Sequence, residues 1–87
     1  MAFFESAGGV DATATIVSAR SVGMVNFDPV LELNLTVMRD GMPPYPAVAR
    51  QEISQMDLSR VQPGGSIIVK VNPESPAAVW ADLTRIP

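Results

Sequence analysis

Eighty-seven residues, no Cys, no His and a net charge of −3 leave room for one small domain with one modest core. Without thiols or imidazoles the chain has no disulfide staple, no thiolate or imidazole metal site, no Cys or His catalysis and no histidine pH switch. Six basic against nine acidic residues argue against binding nucleic acid or an anionic membrane surface, while 47% hydrophobic and 17% charged residues indicate a globular chain.

Residues 1–9 end in Gly8-Gly9 and read as a flexible lead to a single domain over 10–87. Phe3 and Phe4 are unusual there, because a free tail gains nothing from two exposed aromatics. They are expected either to mark a frayed end or to dock on the domain or a second copy. The start lacks a basic region and a long apolar run, so no secretory leader is expected. The longest apolar runs, such as Ala77 to Ala81, fall far short of the roughly 20 residues of a spanning helix. A soluble domain follows, with the cytoplasm favoured. The lack of Cys fits that compartment and equally a domain cut from a membrane-attached parent.

From Val10 to Arg20 the chain alternates. Val10, Ala12, Ala14 and Ile16 share one face, and Asp11, Thr13 and Thr15 the other, which predicts a strand. Gly23 inside a similar run predicts a bulge or bend. Asn26-Phe27-Asp28-Pro29 predicts a turn. The clearest strand covers 30–39, with Leu31, Leu33, Leu35 and Val37 on the buried face and Glu32, Asn34, Thr36 and Met38 on the wet one.

Asp40-Gly41 then predicts a hairpin. Pro43, Pro44 and Pro46 cannot supply ladder donors, so an edge strand is expected, starting late near Ala47 and running to Ile53. A short helix over 45–53 is the competing reading. Leu58 and Val61 lie three apart, as in one helical or 3₁₀ turn. Pro63-Gly64-Gly65 predicts a type II turn. Ser66–Asn72 is a β-branched strand, Pro73-Glu74-Ser75-Pro76 a turn, and 77–83 the last strand, with Ala77, Val79, Ala81 and Leu83 on one side.

These elements predict an all-β fold, a small five- to six-stranded Greek-key barrel of the OB or SH3-like kind, with a plug over 54–62. A two-layer sandwich is the alternative. The expected core is Ile16, Leu31, Leu33, Leu35, Val37, Val48, Leu58, Val61, Ile67, Val69, Val71, Val79 and Leu83.

The run Leu58-x-x-Val61-x-Pro63-Gly64-x-x-Ile67-x-Val69-x-Val71-Asn72-Pro73-x-x-Pro76-x-x-Val79 resembles a pattern of small bacterial β-domains of unknown function. In that pattern an Asp/Asn-Pro-x-x-Pro turn precedes the last strand. Ala14-Thr15-Ile16-Val17, Gly23-x-Val25-Asn26, Pro29-Val30-Leu31 and Pro43-Pro44-Tyr45 suit it too, so the likeness covers about residues 11–83. Many such domains are membrane-attached or sit beside short C-terminal helical modules. The resemblance implies a barrel that is not an enzyme, with no ligand and no catalytic residue to carry over.

The chemistry-bearing residues agree. Lys70 is the only lysine. Ser66, at the same strand parity, lies about 13 Å away, too far for a dyad. The carboxylates are scattered, and Asn26 with Asp28 offers two oxygens where calcium wants six or more. Gly8-Gly9 and Gly64-Gly65 match no phosphate-loop pattern. Arg20, Arg39, Arg50, Arg60, Lys70 and Arg85 are dispersed, so no basic groove for single strands emerges. No cofactor and no metal are expected.

Trp80 lies opposite in parity to Val79, so it faces outward unless a bulge turns it in. An outward Trp calls for cover by Phe3 and Phe4, a second chain or a partner. Met38, Met42 and Met56 add soft apolar surface or fill gaps under loops. Phe3, Phe4, Tyr45 and Trp80 are thus the candidate interaction residues. The expectation is a non-catalytic protein-interaction or assembly module, with protein or self-association as partner and no nucleic acid. The alternative is an OB-like barrel binding a small molecule, peptide or oligonucleotide at its mouth, which would gather Trp80, Tyr45 and Phe27 at an open concave face.

Overall fold

In the computed structural model, which describes residues 9–87, five strands and one 3₁₀ helix follow in the order β1 Val10–Val25, β2 Asp28–Met38, β3 Tyr45–Glu52, the 3₁₀ helix Gln55–Val61, β4 Ser66–Asn72 and β5 Ser75–Asp82. The strands close into a barrel in the order β1-β2-β3-β5-β4. All contacts are antiparallel except β3–β5, which is parallel. Closure removes the free sheet edges that a five-stranded sheet would otherwise present.

Period-two patterning builds this ring. On β2, Leu31, Leu33, Leu35 and Val37 all point inward and are buried, as the alternation requires. Ala14 and Ile16 of β1, Ile67, Val69 and Val71 of β4, and Val79 and Ala81 of β5 complete the wall of the core. Val61 closes one end from the 3₁₀ helix, with Leu58 and Leu83 packed partly buried against it.

Two bulges shape β1. The register with β2 slips between Ile16 and Ser18 and again between Ser21 and Gly23. The second slip sits where Gly23 predicts it. The first makes Val17 an extra residue and reverses parity, so that Ala19, not Ser18, stands opposite inward Leu33. The Pro63–Gly65 turn meets β1 at this point: Gly64 N–H donates to Ile16 O at 2.8 Å and Ile16 N–H to Gly65 O at 2.9 Å. Gly64 has φ +88°, the left-handed conformation the second central position of a type II turn needs.

Strand β3 departs from expectation in three ways. It begins at Tyr45, not Ala47, and Pro46 pairs in register with Thr36. It is not an edge, because β5 covers its other side. Its parity is reversed as well. Ala47, Ala49 and Ile53 are buried, whereas Val48 is 47% exposed and leaves the expected core. Large residues from the other strands fill the interior, so the small alanines face in.

The prolines still leave a mark. The β3–β5 contact has a single rung, Val48 with Ala78, whereas β2 and β3 pair over eight residues from Val30 to Val37. β5 is also longer than expected, starting at Ser75. Its Pro76, Ala77 and Ala78 find no partner on β4, whose register jumps from Asn72–Ser75 to Val71–Val79. The strand leaves β4 there to reach β3. Among the described residues, no helix is long and apolar enough to cross a membrane.

Candidate interaction surface

Beside the weakly laddered β3–β5 seam, a groove of about 380 Å³ crosses the outer faces of β2 and β3 from the β1 bulge to Ala77 of β5. Val17, Pro46, Val48 and Ala77 supply its apolar lining, with Asn34 and Thr36 of β2 as polar neighbours. Val17 is there because the bulge makes it the extra residue on β1, and Val48 because β3 runs in reversed parity. The Asn34 amide is already engaged, donating to Ser18 Oγ at 2.9 Å. Among the described residues no titratable group lines the groove, and its lining offers apolar contact.

Side-chain clasps hold the seam at both ends. Tyr45 donates its hydroxyl to Pro76 O at 3.0 Å beside the groove. At the far end Gln51, only 7% exposed, donates to Ala81 O and accepts from Ala81 N–H.

One row along from the groove, Arg20, Glu32 and Arg50 stand in register on β1, β2 and β3. Glu32 accepts from Arg50 at 2.6 Å and from Arg20 at 3.0 Å. The bonds from Arg50 first, then Arg20, hold its carboxyl below the usual carboxylate range. Two guanidiniums share one carboxylate, so this row carries a net positive charge.

A second, larger cavity of about 490 Å³ lies between β1, β4 and the segment after β5. Asp11, Arg39, Asp40 and Arg85 are its charged lining, and of these Asp11 and Arg85 bind each other. Arg85 holds Asp11 through both carboxylate oxygens at 2.9 Å and Asp82 at 2.9 Å, and Lys70 also pairs with Asp11. Arg85 first, then Lys70, drives the Asp11 carboxyl far below the usual range, and Asp11 raises Arg85 in return. Arg60 of the 3₁₀ helix donates to Leu83 O and Arg85 O. These bonds strap the segment after β5 onto the barrel.

Among the described residues the candidates do not converge on one site. Phe3 and Phe4 lie outside the described residues. Tyr45 is half-buried with its hydroxyl engaged. Trp80, 39% exposed, stands on the outer face of β5 in register with Lys70. Phe27 occupies the β1–β2 turn, so no concave face gathers Trp80, Tyr45 and Phe27. Val17 and Val48 escaped the sequence reading because a bulge and a reversed strand decide their direction.

Phe27 itself carried a signal. In a two-residue hairpin with both central residues at positive φ, the second position favours Gly. Here Asn26 has φ 49° and Phe27 φ 73°, and Phe27 is 84% exposed.

Together these features define a small closed β-barrel with an apolar seam and an aromatic hairpin tip. No protein-family model, no curated protein and no solved structure matches the chain. Among the described residues there is no group of three or more side chains able to hold a metal ion.

Proposed function

We propose that this chain is a non-catalytic protein-interaction module of OB-like build, and that it binds protein through the groove beside the β3–β5 seam. The observation that carries this reading is the solvent-open apolar groove of Val17, Pro46, Val48 and Ala77. Apolar surface gathered in a concavity, with no titratable group among its described lining, favours contact with other apolar side chains. The strand order, the parallel β3–β5 contact and the helical plug between β3 and β4 support the OB-like description. Oligonucleotide binding is the weaker reading. Stacking platforms need aromatics, and the outer face of β2 and β3 presents Glu32, Asn34, Thr36, Pro46, Val48 and Arg50.

The test is selection of a random dodecapeptide display library on the full chain, with Val48→Glu as the counter-target. Enrichment of an apolar consensus that the variant does not retain supports the seam. A library that enriches equally on both proteins, or on neither, removes the proposal.

A further inference from the structure

We infer that the occupant of the seam groove is the β1–β2 hairpin tip of a second copy of this chain, with Phe27 as the inserted side chain. The inference rests on the reading of the seam as a protein-binding groove, and adds the identity of the partner.

Three observations converge on it. Phe27 is 84% exposed on left-handed backbone, so it gains little from burial in its own chain and bears a conformational cost that Gly would avoid. Its presentation is fixed: Gln55 donates its side-chain amide to Phe27 O at 2.6 Å and its backbone N–H to Asp28 Oδ1 at 3.3 Å. Met24, one rung from the turn, and Met56, next to Gln55, are also exposed, which adds apolar surface to the tip. A rigid, exposed aromatic is the kind of residue that anchors an interface.

Charge complementarity selects a second copy. The tip carries Asp28, with Glu52 on the neighbouring strand, paired with Val30. The groove is flanked by the net-positive Arg20–Glu32–Arg50 row. An aromatic followed by a carboxylate thus meets an apolar groove followed by guanidiniums. The tip cannot reach the groove of its own barrel. Six residue steps along β2 separate Asp28 from Asn34, roughly 20 Å of rigid strand. Because tip and groove lie along the same β2 strand, reciprocal exchange between two copies closes a two-fold dimer with two identical contacts.

Sedimentation equilibrium of the full chain from roughly 10 μM to 1 mM, a range suited to weak contacts, tests this with two variants. Phe27→Gly removes the knob and suits the turn. Val48→Glu places a carboxylate in the groove against the incoming Asp28. Circular dichroism checks that both remain folded. The wild type is expected to move from the 9.3 kDa monomer to a dimer, and each variant alone to stay monomeric. Mixed one to one, they form a complex again, because the intact groove of one receives the intact tip of the other, with affinity at least roughly tenfold below wild type for the lost second contact.

A wild type that stays monomeric overturns the inference. So does association that survives either substitution, which would place the contact elsewhere, the Phe3-Phe4 segment included. Growth past the dimer overturns the reciprocal closure. None of these outcomes alters the peptide selection, which judges the groove separately.

Discussion

The side-chain amide of Gln51 makes both hydrogen bonds of a sheet rung with the backbone of Ala81, donating to Ala81 O at 3.0 Å and accepting from Ala81 N–H at 2.9 Å. It acts where β3 and β5 have no second backbone rung, so a buried side chain completes the closure of the barrel. A buried polar group with both partners supplied costs little, and one stripped of them costs much.

Gln51→Ala leaves the Ala81 N–H and C=O unpaired inside the barrel, and each orphan costs about 1–3 kcal/mol. A loss of roughly 2–6 kcal/mol is expected in urea unfolding. Gln51→Glu adds a pH signature. Buried against Ala81 O, its carboxyl titrates above the unfolded value near about 4.3. A raised folded-state pKa stabilises below the unfolded value and loses that contribution as pH rises through the folded one. The Glu variant is therefore weaker at about pH 7 and partly recovers near about pH 5. Wild-type stability in the Ala variant would show that the rung is dispensable.

Neighbours on β3 give a second contrast. Val48→Lys alters an exposed side chain and should change stability by no more than about 0.5 kcal/mol. Ala49→Lys puts an unpaired ammonium in the core and should leave the chain unfolded. Thermal unfolding of the two side by side checks the strand's direction. If Val48→Lys is the damaging change, the parity is reversed.

That parity marks how far the sequence reaches. Leu31 to Val37 specified both the existence and the facing of β2, because four large residues alternate without interruption. The turns at 26–29, 40–41 and 63–65 were legible from Asn, Asp, Gly and Pro chemistry. β3 was not, because alternation of Ala47, Val48 and Ala49 does not say whether the small or the large residue faces in. Only the volume supplied by the other strands decides it. The seam groove was hidden for the same reason, since it depends on where β5 leaves β4, on the unsignalled bulge at Val17 and on a clasp from Gln51, a polar residue in a core position.

Acid sensitivity should come from the ion pairs, since the chain has no histidine. Asp11, Glu32 and Asp82 all have depressed carboxyl pKa values, chiefly through Arg85, Arg50 and the Thr84 hydroxyl respectively. A depressed folded-state pKa stabilises above the unfolded value, about 3.9–4.3 for carboxylates, and that stability is lost as pH falls through the folded value. The melting temperature should therefore hold from neutrality down to roughly pH 4.5 and decline below it. Arg85→Gln, which removes the largest influence on Asp11, should flatten this acid limb. A variant whose acid limb matches wild type would rule out the Asp11–Arg85 strap as its cause.

Trp80 offers a local probe. It is 39% exposed and outward, so Trp80→Ala should cost on the order of 1–2 kcal/mol, below the roughly 3–5 typical of a buried aromatic. Iodide should quench its fluorescence in the monomer. A chain that unfolds on this substitution, or a Trp80 inaccessible to iodide at low concentration, would place the indole in the core.

Phe27→Gly separates folding from association. Gly relieves the left-handed cost of about 1–2 kcal/mol but loses about 0.5–1 kcal/mol through its greater freedom in the unfolded chain. Phe27 is too exposed for its truncation to remove much burial. The variant should thus be as stable as wild type or more so, by up to about 1 kcal/mol, while losing the concentration-dependent dimer. Asn followed by Gly is the easier hairpin turn to make. A phenyl ring held there at a cost to the fold is explained by a contact outside the fold. Urea unfolding at a concentration low enough to exclude dimers, set beside sedimentation at high concentration, checks both halves. A variant that is clearly less stable as a monomer would mean that Phe27 serves its own barrel, and its left-handed backbone would no longer point to an interface.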